Sequence, residues 1–449
     1  MEKKTITPSL LLTLGLCLGL VLPAPLAQTA EEFIANLHSP IVKTRREAAK
    51  KLGELRQRVA VQPLIEALRE DQDPEVRAAA AQSLGLIKDE VAVPALFDGL
   101  KDKVSEVRQA AIVGLVTFHI EQKVDFLTAR RKGIQWLNPF LETYEGTILE
   151  PYTPVDPRVI DALVEVALRD RDQEVRIVAI RALGVLRANN AIPQLGDLML
   201  ANSFVRVEIL RTFIKLGDQA AAEYIIPFLN DKDSDVRYQA LTAIGLLRSD
   251  AAVPELIDVY NSSKDAKSKR LALEALALIG NSKAESIFLA NLASGDTDMR
   301  RFGYEGLARM GNEEYVERVS KDRLRERHDE VQLAQAFALY SLGRQEYIEA
   351  VVQNLSTRRR QQAYGYLLEV QPEALYPYLR QPGLQSRRWI VEALGHSGSE
   401  ETIGKLTPLL QSNESELVNA TTLAIERIKR RGGIGEPPHH QKRPKRVGD

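Results

Sequence analysis

The stretch DPEVRAAAAQSLG at residues 73–85 decides the fold of this 449-residue chain. Its acidic start, its Val-Arg pair and its alanine-rich run closing on Leu-Gly return with a period of about 31 residues. Clear copies surround Arg108, Arg176 and Arg237. A repeat of this length encodes one helix pair, which cannot bury its own apolar face and must stack on its neighbours. The sequence therefore predicts an all-α fold, an α-solenoid.

One apolar anchor follows the arginine position of each unit by seven residues, which allows the units to be counted. The anchors are Leu52, Leu84, Leu115, Leu183, Phe213, Ile244, Leu276, Leu307, Leu339, Leu367, Leu394 and Ile425. This spacing predicts about twelve two-helix repeats over residues 28–428, with an insertion at about 120–157. In each unit we expect a proline near the start of the first helix and an acidic cap on the second. We expect the Leu-Gly pair to end the second helix through a positive φ.

The units resemble HEAT repeats, specifically the short type of the phycobilisome-lyase HEAT-like group, in which a Val-Arg pair opens the second helix. The resemblance extends from about residue 30 to residue 428. It implies that turn aspartates and helix arginines bridge neighbouring units in a ladder. The structural ladder residues assigned in this way are Asp73, Arg77, Arg108, Arg176, Arg206, Asp233, Arg237 and Arg300. Lys269, Gln332 and Val418 replace the arginine in later units, so we expect the ladder to be interrupted there.

The amino terminus has the three regions of a secretory signal peptide. Lys3 and Lys4 precede an apolar run from Leu10 to Leu22, and a Pro- and Ala-containing segment ends at Ala27. We expect residues 1–27 to direct export to the periplasm or cell envelope. An uncleaved anchor and lipidation of Cys17 are alternatives. Cys17 is the only cysteine, so its removal with the signal excludes disulfides and thiol chemistry.

Charge gives little indication of a partner class. The chain has 60 Lys and Arg residues against 61 Asp and Glu residues, so we expect no nucleic-acid partner. The basic residues of the tail at 429–449 are a local exception, and glycines and prolines there predict disorder. This tail is a candidate for contact with an anionic envelope surface, and a solvated extension is the alternative.

The insertion is the first candidate for partner binding, because solenoids carry insertions on one face while their framework stays constant. It combines basic and aromatic side chains, the usual anchors of protein interfaces. The candidates are Arg130, Arg131, Trp136, Phe140, Tyr144 and Tyr152. Packing of the same aromatics back onto the solenoid is the alternative.

The second candidate is a basic and aromatic run in two shortened units near the carboxyl end. Its arginines Arg358, Arg359 and Arg388 are assigned to partner binding. Accompanying aromatics include Tyr364, Tyr366, Tyr376, Tyr378 and Trp389. Some of these aromatics are expected in the core, since Tyr366 and Trp389 fall close to anchor positions.

Known catalytic motifs are missing from the sequence. Deoxyhypusine hydroxylase, an enzyme built from such repeats, uses paired His-Glu dipeptides as iron ligands, and this chain has no His-Glu dipeptide. Its six histidines are scattered without metal-ligand spacing. We therefore expect no catalytic residues, no metal and no cofactor.

The predicted function is a non-catalytic scaffold or assembly factor that binds a protein through its concave helix face and the insertion. A chromophore lyase or other enzyme with an unrecognised site is the alternative.

Overall fold

A computed structural model describes residues 29–119, 155–380 and 383–432 of the chain. These ranges form α-helices joined by tight loops and short 3₁₀ turns, and they contain no strand. The helices are α1 Ala30–Asn36, α2 Val42–Leu55, α3 Val61–Glu70, α4 Pro74–Ile87, α5 Val93–Gly99, α6 Ser105–His119, α7 Pro157–Arg169, α8 Gln173–Val185, α9 Ile192–Ala201, α10 Arg206–Leu216, α11 Ala222–Ile225, α12 Ser234–Leu247, α13 Val253–Ser262, α14 Ala266–Ile279, α15 Glu285–Asn291, α16 Thr297–Met310, α17 Val316–Arg323, α18 Asp329–Ser341, α19 Ile348–Gln353, α20 Arg360–Leu367, α21 Leu384–Ser397, α22 Glu400–Leu406 and α23 Ser415–Gly432. The predicted signal peptide at 1–27 and most of the basic tail lie outside the described residues.

Consecutive helices pair into twelve repeats along the described residues. In the eleventh repeat a 3₁₀ segment, Pro372–Arg380, replaces the first helix. Second helices pack on one another in chain order, including α6 on α8 on either side of the insertion. All twelve predicted anchors are buried in one continuous core. The predicted all-α solenoid is confirmed.

Each second helix starts from its own sequence signals, as α4 illustrates. The Asp73 carboxylate accepts a hydrogen bond from the Glu75 backbone N–H at 2.8 Å and so caps the helix. Pro74 occupies the first turn, where its missing N–H costs nothing. Val76 and Leu84 then bury completely against the neighbouring helices. The local signals and the packing therefore specify the same helix.

The predicted role of the Leu-Gly pair is wrong for α4, although Leu216 and Gly217 end α10 as predicted, with a φ of 65° at Gly217. Gly85 lies inside α4, which ends instead at Lys88 with a φ of 59°. A Cβ added to Gly85 would lie 2.4 Å from the carbonyl oxygen of Gly114 in α6. The glycine therefore permits close approach of neighbouring second helices rather than a change of chain direction.

The carboxyl-terminal helix is longer than the sequence predicts. The helical pattern was expected to fade after Ile428, but α23 continues to Gly432. Lys429, Arg430 and Arg431 form its last turn, where cations complement the negative end of the helix dipole. Arg431 also donates a hydrogen bond to the His396 carbonyl oxygen. None of the helices described here is long and apolar enough to cross a membrane.

Candidate functional site

A row of arginines in the first turns of the second helices ties each repeat to the next. Arg77 donates from Nε and Nη2 to the Asp102 carboxylate at 2.8 and 3.0 Å. Its Nη1 donates to the carbonyl oxygen of Asp71 at 2.9 Å, in the turn of its own repeat. One nearly buried guanidinium therefore fixes two consecutive turns.

The same pairing recurs along the stack. The ion pairs are Arg45–Asp71 at 2.7 Å, Arg108–Asp170 at 2.7 Å, Arg206–Asp231 at 3.7 Å, Arg237–Asp265 at 3.3 Å, Arg300–Glu326 at 3.1 Å and Arg387–Glu414 at 2.5 Å. The pair between Arg108 and Asp170 joins the repeats on either side of the insertion. Burial opposes ionisation of Asp170, but the hydrogen bonds from Arg108 and the Asp172 backbone N–H, together with the charge of Arg108, outweigh it and lower the pKa of Asp170.

Two aspartates assigned to this ladder have a different role. Asp73 and Asp233 cap α4 and α12 by accepting hydrogen bonds from the second backbone N–H of each helix. The bridging carboxylate lies two positions earlier, at Asp71 and Asp231. The two carboxylates of the turn thus have different partners. One caps the helix that follows it, and the other pairs with an arginine of the preceding repeat. Sequence spacing alone does not distinguish them.

Arg176 is an interruption of the ladder that the sequence analysis missed. Its Nε donates to the Ala167 carbonyl oxygen at 3.0 Å, within its own repeat. The bridging position of the next turn, six residues before Arg206, holds Leu200 instead of a carboxylate. Comparing the residue six places before each ladder arginine across the repeats would have revealed this interruption.

The arginines proposed for partner binding near the carboxyl end form ion pairs between repeats. Arg358 pairs with Asp329 at 2.7 Å and Arg388 with Glu416 at 2.6 Å, while Arg359 pairs with Glu330. The accompanying aromatics belong mostly to the core, where Tyr364 and Tyr366 are buried and Tyr376, Tyr378 and Trp389 pack against it. The expected basic and aromatic surface is therefore not present as such. Arg130, Arg131, Trp136, Phe140, Tyr144 and Tyr152 lie outside the described residues.

A cleft of about 270 Å³ lies beside one of these pairs, between α18 and α19. Leu333, Ala336 and Ala350 contribute apolar surface, and Asp329 and Arg358 contribute opposite charges. Both charged side chains are largely exposed, at 52% for Asp329 and 76% for Arg358. The hydrogen bond from Arg358 lowers the pKa of Asp329, so this carboxylate is ionised at neutral pH.

A second polar cluster gathers residues from repeats that are distant in sequence. The Glu369 carboxylate binds Arg309 at 2.9 Å and Arg248 at 2.8 Å. Nearby, the Tyr366 hydroxyl donates to Glu305 at 2.5 Å. We call Arg248, Arg309 and Glu369 the inner clasp. It joins the carboxyl ends of α12 and α16 to the residues that follow α20.

Burial and charge set the protonation of this cluster. Burial opposes ionisation of Glu369, but Arg309 and Arg248 outweigh it, and the pKa of Glu369 falls to about 2. Glu274 in α14 shows the opposite outcome, because burial outweighs the effect of Arg301 and raises the pKa of Glu274 to about 7. The sequence signal for Glu274 is a single carboxylate within the apolar run LALEALALI at 271–279.

Within 29–119, 155–380 and 383–432 there is no cluster of His, Cys, Asp and Glu that could hold a metal ion. Many charged groups in these ranges form ion pairs between repeats, and several line the cleft.

Solved structures with similar helical architecture include several repeat proteins. The complex of CpcE and CpcF of phycocyanin lyase from Nostoc sp. PCC7120 is 21% identical, with 70% of this chain and 95% of that chain covered and a TM-score of 0.28. Human deoxyhypusine hydroxylase is 20% identical, with 56% and 84% covered and a TM-score of 0.26. Importin beta is 13% identical, with 89% and 57% covered and a TM-score of 0.49. At these values the likeness extends to the fold alone.

No curated protein matches the sequence of this chain. Residues 30–116 and 201–277, by contrast, match the HEAT repeats family. These two segments correspond to repeats of the stack described above. The chain is therefore an all-α solenoid that contains HEAT repeats in both segments.

Proposed function

We propose that this chain is a non-catalytic scaffold or assembly factor that binds a protein partner. The cleft between α18 and α19 is the observation that supports it. Its volume of about 270 Å³ lies below the roughly 300–1,000 Å³ typical of small-molecule sites. An apolar floor with a carboxylate and a guanidinium at its edge suits one or two side chains of a protein segment.

The inner clasp affects where such a partner binds. Arg248, Arg309 and Glu369 already satisfy one another, so a partner at the carboxyl ends of these second helices would have to replace buried ion pairs. Asp329 and Arg358 are largely exposed and keep polar atoms open to a partner. The cleft is therefore the better contact point. The insertion remains a second proposed contact.

Crosslinking pull-down from a cell-envelope extract tests the proposal, with the full chain as bait. The cleft variant carries Asp329→Ala and Arg358→Ala, and the matched control carries Arg344→Ala and Glu346→Ala, an exposed pair outside the cleft. We expect a partner that is kept by the control and lost by the cleft variant. A partner kept by both would overturn the role of the cleft. A third bait with residues 120–154 replaced by a short linker tests the insertion independently.

We further propose that the chain acts in the periplasm or cell envelope. Lys3, Lys4 and the apolar run from Leu10 to Leu22 support this proposal. Fusing residues 1–27 to alkaline phosphatase tests it, since that reporter is active only after export. We expect activity that is lost when Leu14→Arg interrupts the apolar run. The mass of the mature amino terminus then distinguishes cleavage, a retained anchor and lipidation at Cys17.

The basic tail at 429–449 is proposed to contact an anionic envelope surface. Its Lys and Arg residues would gain roughly 1 kcal/mol each near such a surface, an attraction that salt screens. Sedimentation with anionic vesicles at low and high salt, with and without residues 433–449, tests this contact. Equal sedimentation of both forms would contradict it.

A further inference from the structure

The turn before α10 differs from its neighbours in lacking acidic residues. The next turn holds Asp231, Asp233 and Asp235 at the bridging, capping and second helical positions. The corresponding residues before α10 are Leu200, Asn202 and Phe204. All three carboxylates are therefore absent from one turn, and two are replaced by large apolar side chains.

This turn nevertheless keeps its local hydrogen bonding. The Asn202 side-chain oxygen accepts a hydrogen bond from the Phe204 backbone N–H at 3.0 Å, so the capping role is preserved. The two apolar side chains gain no burial in exchange for the lost charges. Leu200 is 49% exposed and Phe204 is 46% exposed. Packing of the solenoid therefore does not account for the apolar character of this turn.

One ladder arginine next to this turn lacks the carboxylate partner that its equivalents have. Arg176, in the preceding second helix, occupies the ladder position that faces a carboxylate in other repeats and donates from Nε to the Ala167 carbonyl oxygen. In the two adjacent turns, Arg171 donates a hydrogen bond to the Lys103 carbonyl oxygen of the preceding repeat, and Lys232 is exposed and forms no ion pair with the described residues. The patch thus combines apolar surface with an arginine that has no carboxylate partner within the described residues.

We propose that Leu200, Phe204 and Arg176 form a docking site for an acidic segment of a partner protein. The segment presents an apolar side chain to Leu200 and Phe204 and places flanking Asp or Glu carboxylates beside Arg176 and Lys232. One of these carboxylates takes the place that Asp102 and Asp170 hold for Arg77 and Arg108. This inference rests on the proposed protein-binding function and adds a surface distinct from the cleft.

The neighbouring turns favour a narrow segment over a flat anionic membrane. Asp172 lies on one side of the patch, and Asp233 and Asp235 lie exposed on the other. A membrane surface large enough to reach Arg176 and Lys232 would also approach these carboxylates, at an electrostatic cost. An extended segment contacts the cations without covering the acidic positions.

The test uses a phage-displayed library of random 12-residue peptides, panned on the full chain and on a variant carrying Leu200→Asp and Phe204→Asp. This variant restores the acidic pattern of the next turn, so we expect it to stay folded, as its circular dichroism melt would report. Val91→Asp is the matched control, since Val91 is 57% exposed on a different turn. A selected peptide is then synthesised with a fluorescent label, and its affinity is measured by anisotropy.

We expect peptides with an apolar residue between Asp or Glu residues to be enriched on the full chain. Their affinity should fall about tenfold or more in the double variant, stay unchanged in the control, and weaken as salt is raised. Equal enrichment on both baits, no enrichment, or enriched peptides without acidic residues would overturn the inference. A pull-down partner lost only by the cleft variant would leave the proposed function standing while this docking site fails.

Discussion

Arg248 and Glu369 form an ion pair at 2.8 Å although the three repeats from α13 to α18 separate them in sequence. Arg248 ends α12 in a left-handed conformation, with a φ of 51°, that a non-glycine residue rarely adopts. Arg309 binds the same carboxylate from an intermediate repeat at 2.9 Å. The stack thus has long-range contacts in addition to the nearest-neighbour contacts that define most solenoids.

Glu369→Gln is expected to destabilise the inner clasp. Two guanidinium groups would lose their shared carboxylate, and breaking a buried pair in this way typically costs roughly 3–5 kcal/mol. Hydrogen-exchange mass spectrometry should show faster exchange at the carboxyl ends of α12 and α16. Glu346→Gln, in an exposed pair, is the control and should leave exchange unchanged. Equal hydrogen-exchange protection in the wild type, Glu369→Gln and Glu346→Gln would contradict a stabilising role of the clasp.

Stability should depend on pH through Glu274. Its pKa is about 7 in the folded chain and near 4.5 when unfolded, so the folded state holds a proton that the unfolded state releases between these values. The contribution of this group is complete below pH 4.5 and is lost as pH rises through 7. Urea titrations from pH 5 to pH 8 should show that decline. In Glu274→Gln the free energy of unfolding should depend less on pH. An unchanged pH dependence in that variant would show that another group causes the decline.

Glu369 acts in the opposite direction at low pH. Its pKa of about 2 lies below the ordinary value of 4.5, so its stabilisation is present above pH 4.5 and is lost as pH falls toward 2. The shift corresponds to roughly 3 kcal/mol. Acid unfolding of the wild type should therefore be steeper over this range than that of Glu369→Gln. Coincident acid transitions would show that the clasp carboxylate is not strongly coupled to folding.

Arg108→Ala should weaken the junction across the insertion. The side chains of Arg108 and Asp170 are only 5% and 7% exposed, so the substitution leaves a buried carboxylate without its partner. We expect a loss of roughly 3 kcal/mol in the free energy of unfolding, measured by urea titration. Arg158→Ala, which removes an exposed arginine paired with Asp156, should leave the titration curve unchanged. Similar effects of the two substitutions would contradict the structural importance of the buried pair.

Leu84→Ala tests the register of the repeats. Leu84 is fully buried, so truncation should leave a cavity and cost roughly 2–5 kcal/mol, seen as a lower melting temperature. Leu423→Ala, at a residue that is 64% exposed, is the matched control. An unchanged melting curve for Leu84→Ala would be inconsistent with the buried anchor position.

The repeat pattern predicted the fold because each unit carries the same local signals. Leu84 and its equivalents mark the buried side of every second helix, and Val-Arg marks where that helix begins. The role of Gly85 was not predictable from one unit, because it depends on how closely α6 approaches α4. Asp71 and Asp73 likewise differ only in which partner each carboxylate meets.

Contacts between distant repeats were not predictable from the sequence. Nothing in the spacing of Arg248, Arg309 and Glu369 indicates that the solenoid brings them together, since periodicity specifies only nearest neighbours. The arginines Arg358 and Arg388 were correctly noticed as a group, but their acidic partners lie about one repeat away in sequence. The arginine-rich composition of this segment therefore suggested an unpaired basic surface. In the fold, these arginines form ion pairs with the neighbouring repeat.

In mechanical terms, the inner clasp makes the repeats that it joins stiffer than the rest of the solenoid. A superhelix held only by nearest-neighbour contacts lengthens by small changes at every junction, like a spring. Ion pairs join distant repeats between Arg248 and Glu369, so those repeats cannot move apart without first breaking the clasp. Lengthening under load, or adjustment to the shape of a bound object, must therefore come first from the repeats that precede α12 and those that follow Glu369.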